Sequence, residues 1–328
     1  LTPLHQIAAS PDFLTKGNLA EKALHLFQPA ASYRMRGGSA KASKTSGQNH
    51  PNGTVAHFYL KNKPGEKDTV TLCVLENDGD TIKVFSNQKL PAAWENRGGK
   101  LEDLKAGGNS FLWNHRYPDA EKFEGMILWS YDLEGCKAMP GTYRVRLTAA
   151  GKTEEQTFTI LPDPRTSQTA QVFAQQFDFV RSVGAKLTEA HRAIKEIRNV
   201  RAQMKSMTEG LPSPTGEGSG VGLKPIRTLA GNIDSAMTKV EEAIYQTKNR
   251  SSQDPLNFPV RLNDKLANLM GQTVEGDFAP TQQAIEVREM LFRLTDEQLA
   301  KWKTLKETDL PALNRMVRES GVDLIRVK

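Results

Sequence analysis

The sequence is poor in cysteine, since its 328 residues include only Cys73 and Cys136. Two cysteines cannot build the disulfide framework of a small secreted domain, and the sequence leaves open whether these two are paired. No pair of histidines or cysteines has a metal-ligand spacing either. We therefore expect neither a disulfide scaffold nor a bound metal.

Long apolar runs are also absent. No stretch approaches the roughly 20 consecutive apolar residues that a membrane-spanning helix requires, and the mean hydropathy is -0.52. Hydrophobic residues still make up 38% of the chain, which suffices for ordinary cores. The length and this composition predict two domains of ordinary size and no membrane-spanning segment.

The excess of positive charge is small. Lysine and arginine total 44 against 38 aspartates and glutamates, which gives a net charge of +6. The two signs alternate along the chain, whereas nucleic-acid-binding proteins gather basic residues on one face or along one helix. We therefore expect no nucleic-acid partner.

Residue patterns that identify a reaction are lacking as well. The six histidines do not pair with one another, and no G-x-S-x-G turn that would present a nucleophilic serine occurs. The glycine-rich run "GEGSGVG" follows no strand and lacks the lysine of a phosphate-binding loop. The sequence accordingly predicts no catalytic residue, no cofactor and no metal site.

Residues 51–163 have the pattern of a β domain, in which short runs alternate apolar and polar residues between turn residues. The candidate strands are TVAHFYLK (54–61), TVTLCVLE (69–76), TIKVFS (81–86), NSFLWN (109–114), GMILWS (125–130), GTYRVRLTA (141–149) and TEEQTFTIL (153–161). About seven strands at this spacing predict an immunoglobulin-like antiparallel β-sandwich. Residues 1–50 are weakly periodic and end in a Gly/Ser/Lys-rich run, so we expect an extended linker there.

Residues 164–328 have the pattern of helices. Apolar side chains and one histidine step by threes and fours along a predicted helix over 168–206: Phe173, Phe177, Val180, Leu187, His191, Ile194 and Ile197. Breaks at "EGLPSPTGEGSGVG" and "SSQDPLNFP" separate this helix from those that follow. The sequence predicts an antiparallel bundle of three long helices and a shorter one.

Aromatic residues crowd the stretch "FLWNHRYPDAEKFEGMILW" (111–129). We expect Trp113 and Trp129 to fill the sandwich core, because a buried tryptophan is usual at the centre of such domains. Arg116 and Tyr117 are predicted to form a hydrogen-bonded corner between two strands. These four residues therefore form a predicted structural signature.

Two other aromatic residues are better candidates for contact with a ligand or partner. Trp94 lies in a predicted loop, and Tyr131 follows the last tryptophan of the aromatic stretch. Aromatic rings at the surface can stack on sugar rings, so a glycan is one candidate ligand. A role in the fold is the alternative for both residues.

Several blocks of the sequence carry a family resemblance. They include "VTLCVLENDGDTIKVF", "AGGNSFLWNHRYPDAEKFEGMILW", "PGTYRVRLTAAGKTEEQTFTILPDPR" and "QDPLNFPVRLNDKLANLMG". Together they resemble the C-terminal region of exported bacterial proteins described as sortilin-like, Asp-box (BNR) repeat and glycosyl-hydrolase-like. The β part is also similar to the immunoglobulin-like module of flagellar hook-capping proteins. The resemblance implies a β-propeller before Leu1, and any glycosidase site would belong to that propeller.

The resemblance and the lack of catalytic patterns together predict a non-catalytic accessory region. It would brace the propeller of the same polypeptide or bind a protein of the cell envelope, in the periplasm, at the cell surface or outside the cell. One alternative is a carbohydrate-binding module of a glycosidase. Another is part of a glycoside hydrolase whose catalytic site lies in the propeller.

Overall fold

The computed structural model describes residues 19–35, 51–94, 97–129, 133–211 and 223–321. These residues divide into two compact units, each assembled from separate stretches of chain. The β unit comprises the described part of Leu1–Asp119, with Glu134–Arg181 and Val274–Pro280. The helical unit comprises the described residues of Ala120–Leu133, Ser182–Thr273 and Thr281–Lys328.

The described part of the β unit contains nine strands in two sheets. They are β1 (Leu24–Leu26), β2 (Ser32–Arg34), β3 (Thr54–Leu60), β4 (Thr71–Glu76), β5 (Thr81–Ser86), β6 (Gly98–Lys100), β7 (Gly107–Trp113), β8 (Gly141–Ala149) and β9 (Lys152–Pro162). The smaller sheet has the order β1-β3-β7 and the larger one the order β2-β9-β8-β4-β5-β6. Their apolar faces enclose the core of this unit.

The prediction of an immunoglobulin-like sandwich is wrong. The six-stranded sheet is mixed, because β2 pairs parallel to β9 and β6 pairs parallel to β5 at its two edges, and the sheet curls into a half-barrel. An immunoglobulin-like sandwich consists of two antiparallel sheets. A shift of register between Val74 and Leu75 on β4 marks a bulge, and a bulge increases the local twist of a sheet.

One predicted strand is missing, and three short strands escaped the sequence pattern. Residues 125–129 have no strand structure and belong to the helical unit. The three strands that the pattern missed, β1, β2 and β6, have three residues each, too few to show alternation.

In β6, a Cβ atom on Gly98 would lie 2.5 Å from the carbonyl oxygen of Val84. Only glycine therefore permits this close pairing of β6 with β5.

Trp113, at the end of β7, lies in the core of the β unit with 2% of its surface exposed. Its ring meets Tyr143 and Phe158 edge to face, with centroids 5.8 and 6.1 Å apart. The indole Nε1–H donates a hydrogen bond of 3.0 Å to the carbonyl oxygen of Arg116. The ring of Trp113 therefore packs against apolar neighbours while its N–H group is hydrogen-bonded, the usual arrangement for a buried tryptophan.

A buried arginine joins separate stretches of the β unit. Arg34 on β2 is 4% exposed, and it donates hydrogen bonds to the carbonyl oxygen of Ala138 at 3.0 Å, to Gln176 Oε1 at 2.8 Å and to Asp277 Oδ1. Gln176 in turn donates to the carbonyl oxygen of Gly276 at 2.5 Å. Charge pairing and hydrogen bonds satisfy this buried guanidinium, so the segment Val274–Pro280 is fixed to the β unit.

The described helices are α1 (Ala170–Gly210), α2 (Lys224–Ile244), α3 (Leu262–Thr273) and α4 (Gln282–Thr304), which continues through one π-helical turn (Leu305–Asp309) into α5 (Leu310–Glu319). The apolar stripe predicted for the first helix is buried, as its periodicity indicated. However, the prediction of a bundle that follows a finished sandwich is wrong. Residues 170–181 of α1 belong to the β unit, and residues 120–133, from the middle of the β region, belong to the helical unit.

Within the part of the chain that the structure describes, none of these helices combines the length and the apolarity that crossing a bilayer requires.

We expect Trp113→Ala to lower the free energy of unfolding of the β unit by about 3–5 kcal/mol, the usual cost of truncating a large buried aromatic residue. Chemical denaturation followed by circular dichroism measures this loss. Leu112→Ala is the matched control, because the neighbouring Leu112 on the same strand is 44% exposed. An equal effect of both substitutions would contradict the core position of Trp113.

Candidate binding groove

The segment 120–129 leaves the β region and packs on helices of the helical unit. Phe123 lies in the core of this unit. Its ring meets His191 of α1 and Tyr245 edge to face, with centroid separations of 5.2 and 4.9 Å. Glu121, two residues earlier, accepts a hydrogen bond of 2.7 Å from Arg192 Nε. One apolar anchor and one charged anchor therefore attach the start of the segment.

Backbone hydrogen bonds attach the rest of the segment. The amide of Ile127 donates to the hydroxyl oxygen of Tyr245 at 3.1 Å, and this hydroxyl donates to the carbonyl oxygen of Gly125 at 3.3 Å. The amide of Trp129 donates to Asp264 Oδ1 at 2.8 Å. A segment that contains no helix or strand is thereby held at defined points. These hydrogen bonds fix the backbone position of Trp129.

Trp129 is at the surface, with 42% of the residue exposed. The prediction that it fills a core is therefore wrong. The apolar run around it packs differently from a strand, because Phe123 lies in the helical core and Met126 packs against it, while Trp129 is exposed. Its ring lines a groove that residues of α3 and α4 complete.

The groove has a volume of about 520 Å³. Most of its apolar lining comes from α3, from α4 and from Val260, which lies two residues before α3. The apolar lining residues are Val260, Leu269, Ala284, Val287, Met290 and Leu291. Val287 and Met290 are 39% and 46% exposed, so part of the apolar stripe of α4 is uncovered. Polar side chains at the same groove are Lys265, Asn268, Gln272 and Gln283.

Asp264 is the buried acidic residue of the groove, in the first turn of α3. It is 4% exposed, and its Oδ2 atom has no hydrogen-bond partner among the described residues. Burial raises the pKa of the Asp264 carboxyl, and the hydrogen bond from the Trp129 amide opposes this rise. A buried carboxylate with one open oxygen is costly to maintain, so its presence in a groove marks a candidate site.

Neighbouring polar residues are better satisfied than Asp264. His191, fully buried, donates from Nδ1 to the carbonyl oxygen of Glu121 at 2.6 Å. Its Nε2 lies 3.4 Å from Asn263 Nδ2, and Asn263 Oδ1 accepts the amide of Asp264 at 2.8 Å. Burial lowers the pKa of His191, which fits a neutral ring that donates at one nitrogen and accepts at the other. Its position on the predicted stripe is therefore structural.

Arg116 and Tyr117 belong to the β unit and are not among the residues that line this groove. Arg116 Nη1 donates to the carbonyl oxygen of Gly135 at 3.0 Å, and its Nη2 pairs with Glu134 at 2.9 Å. The Tyr117 hydroxyl donates to Glu76 Oε1 at 2.9 Å. These bonds join the end of β7 to residues 134–138 and to β4, and they form a corner of the fold.

Of the two remaining predicted contact residues, Trp94 does not line the groove. Trp94 ends a short 3-10 turn (Ala92–Trp94) in the β unit, where the Arg97 guanidinium lies 5.5 Å from its ring centroid. Trp94 is half-buried. Tyr131 lies outside the described residues, so its proposed contact remains a prediction.

A histidine and two hydroxyl groups meet in the β unit without forming an accessible nucleophile. His115 Nε2 lies 3.0 Å from Ser32 Oγ and 2.8 Å from Thr54 Oγ1. All three residues are at most 4% exposed, so a substrate in solvent cannot reach either hydroxyl. Burial, with the nearby charges of Lys137 and Arg34, lowers the pKa of His115 to about 4. The neutral ring therefore forms hydrogen bonds with these two hydroxyl groups inside the core.

The two cysteines are both free. Cys136 is buried, and burial raises the pKa of its thiol to about 12. Burial also raises the pKa of the Cys73 thiol on β4. Because the thiolate is the reactive form, neither cysteine has the environment of a nucleophile.

Comparisons with known proteins do not name a family: no family model matches the chain, and no curated protein matches it. The resemblance to sortilin-like and Asp-box proteins therefore stays a prediction.

Sequence reasoning missed Asp264. Its segment, "VRLNDKLANLM", shows a leucine stripe, and an aspartate in a first helical turn is ordinary because it favours the helix dipole. The burial of Asp264 depends on Trp129, 135 residues earlier in the chain. No local sequence pattern indicates such a contact. Periodicity also does not show that Val287 and Met290 on α4 are exposed, because it marks an apolar stripe without showing whether the stripe is covered.

The raised pKa of Asp264 predicts a specific dependence of stability on pH. The folded state binds this proton more readily than the unfolded state, so between the two pKa values stability falls as pH rises. We expect Asp264→Asn to remove this loss. The difference in free energy of unfolding, variant minus wild type, should be largest at neutral pH and shrink on acidification, as measured by urea denaturation at a series of pH values from neutral to acid.

Glu121→Gln is the control of opposite sign. Burial works against ionisation of Glu121, but hydrogen bonds and charges from Arg192 and Lys195 hold its pKa below the usual range. Glu121 therefore stabilises the fold above its unfolded pKa, and the stability that the variant lacks should disappear on acidification. The same pH trend for both variants would contradict the environment described for Asp264.

Proposed function

We propose that this chain is a non-catalytic interaction region, and that the groove at Trp129 is its contact site for a protein. The single observation that carries the proposal is the combination of the exposed Trp129 with the buried, half-bonded carboxylate of Asp264. Exposed aromatic residues surrounded by apolar side chains are the usual anchors of protein contacts. A carboxylate with one open oxygen adds selectivity to such an anchor.

The partner class follows from the family resemblance. The partner would be the propeller of the same polypeptide or a protein of the cell envelope, and the chain would work as an exported accessory region. Rigid attachment of the segment 120–129 supports this role, because Trp129 is held in place before a partner arrives. A contact residue that is already ordered loses less entropy on binding.

Site-specific cross-linking tests the proposal. A photoreactive amino acid at position 290 would report on the groove, and the same amino acid at position 112 is the control, since Met290 and Leu112 are 46% and 44% exposed. We expect a protein from envelope extract, or a co-expressed propeller, to be cross-linked at 290 only. The partner is then identified by mass spectrometry, purified and rebound.

Two further variants sharpen this experiment. Trp129→Ala should reduce rebinding of the purified partner by at least about tenfold, the loss of a typical aromatic anchor. Trp94→Ala, which changes a tryptophan outside the groove, should leave rebinding unchanged. Equal cross-linking at positions 290 and 112, or rebinding unaffected by Trp129→Ala, would contradict the proposal.

A carbohydrate-binding module is the second candidate, and a specific observation favours it. The amide side chains of Asn268, Gln272 and Gln283 line the groove together with the indole of Trp129. Amides beside an exposed aromatic ring can bond sugar hydroxyls while the ring stacks on the sugar face.

A glycan array separates this candidate from the first. If the candidate is right, we expect the wild type to bind a glycan that Trp129→Ala does not bind and that Trp94→Ala still binds. A wild-type chain that binds no glycan on the array would eliminate it.

A further inference from the structure

The charge at Asp264 defines what the groove can accept. Asp264 Oδ1 is occupied by the Trp129 amide at 2.8 Å, and Oδ2 has no partner among the described residues. The exposed Lys265 lines the same groove, yet no ion pair joins it to Asp264 in the described structure. Among the described residues, the buried negative charge therefore lacks a compensating cation.

We propose that the groove binds the side chain of a lysine from a partner protein, with its ammonium group at Asp264 Oδ2 and its methylene stem on the apolar lining. This inference rests on the proposed function and names the chemistry of the contact. Leu269, Val287 and Leu291 supply apolar surface for the stem. Trp129 supplies an aromatic ring, which attracts cations through its face.

The single open oxygen selects lysine over arginine. A guanidinium bonds a carboxylate best through two parallel hydrogen bonds, which need both oxygens. At Asp264, Oδ1 already accepts one hydrogen bond from a backbone amide, which reduces its capacity to accept a second from a guanidinium. An ammonium group is a compact charge that is satisfied by one carboxylate oxygen together with other acceptors, and the glutamines Gln272 and Gln283 line the same groove.

The same charge favours an ammonium group over a sugar hydroxyl. A hydroxyl can donate one hydrogen bond to Oδ2, but it leaves the buried negative charge uncompensated. Removing one partner of a buried ion pair is far more costly than losing a neutral hydrogen bond. A cation is therefore the ligand that stabilises the buried carboxylate of Asp264 most.

Access to Oδ2 requires a small movement, because this atom has almost no exposed surface. Two side chains at the groove are at the surface and able to change rotamer: Trp129 and Lys265. Rotamer changes of exposed side chains are fast. A rotamer change of either side chain leaves the backbone hydrogen bond between Trp129 and Asp264 in place.

Titration of the full chain with small probes tests the inference. The probe is Nα-acetyl-lysine-N-methylamide, and the readouts are the NMR signals of the Trp129 backbone amide and indole. We expect saturable shifts with a dissociation constant of roughly millimolar size, as for a single side chain. The corresponding norleucine and arginine amides should bind at least about tenfold more weakly, because one lacks the charge and the other mismatches the oxygen.

Variants assign the binding to the groove. Asp264→Asn, which keeps an oxygen for the Trp129 amide, should abolish the preference for lysine over norleucine, and Trp94→Ala should leave it intact. The comparison of lysine with norleucine needs no variant, so it decides the question even if Asp264→Asn folds poorly. Equal binding of lysine and norleucine, stronger binding of arginine, or binding of cellobiose in place of lysine would each overturn the inference.

The outcomes also separate this inference from the proposed function. Cross-linking at position 290 that depends on Trp129, without any preference for lysine, would overturn the lysine inference and leave the interaction role in place. Loss of the cross-linked partner together with a retained lysine preference would overturn the protein-partner role instead.

Discussion

The hydrogen bond from the Trp129 amide to Asp264 Oδ1 is the interaction on which the candidate site depends. It places an indole ring beside a carboxylate that comes 135 residues later in the chain. It also uses one carboxylate oxygen and leaves the other open. The anchors before it, at Glu121, Phe123 and Ile127, reduce the freedom of the segment so that this bond forms at a defined place.

The two units differ in how many partners a buried charged side chain has. In the β unit, Arg34 is buried with an opposite charge, a carbonyl oxygen and an amide oxygen as acceptors, so its burial supports the fold. In the helical unit, Asp264 is buried with one backbone amide as its donor. Binding sites commonly keep such an arrangement at some cost in stability, because a ligand supplies the missing partner.

Periodicity was enough to predict the longer elements of the fold. Strands β3, β4, β5, β7, β8 and β9 alternate apolar and polar residues, and the stripe from Phe173 to Ile197 marks α1. The arrangement of these elements was not predictable in the same way. Whether an edge strand pairs parallel, as β2 does with β9, depends on contacts between residues far apart in the sequence. The short run at Gly98 contains no apolar residue that could mark a strand.

The aromatic stretch 111–129 shows why the site was harder to predict than the fold. Its first half lies in the β unit around Trp113, and its second half packs on the helices, so one continuous pattern serves two units. An apolar run such as "GMILW" fits a buried strand and an irregular segment on helices equally well. The exposure of Trp129 follows from this second arrangement, and Asp264 acquires its role only through it.

The contact between Arg34 and Asp277 has a consequence for biosynthesis. The two residues are separated by 243 positions, so the β unit contains one of the most distant contacts in the chain. As the polypeptide emerges from the ribosome, all nine described strands are available long before Asp277 is made. Until then Arg34 cannot be buried with its carboxylate. The contact that joins β2 to the segment Val274–Pro280 must therefore form after translation has passed Asp277.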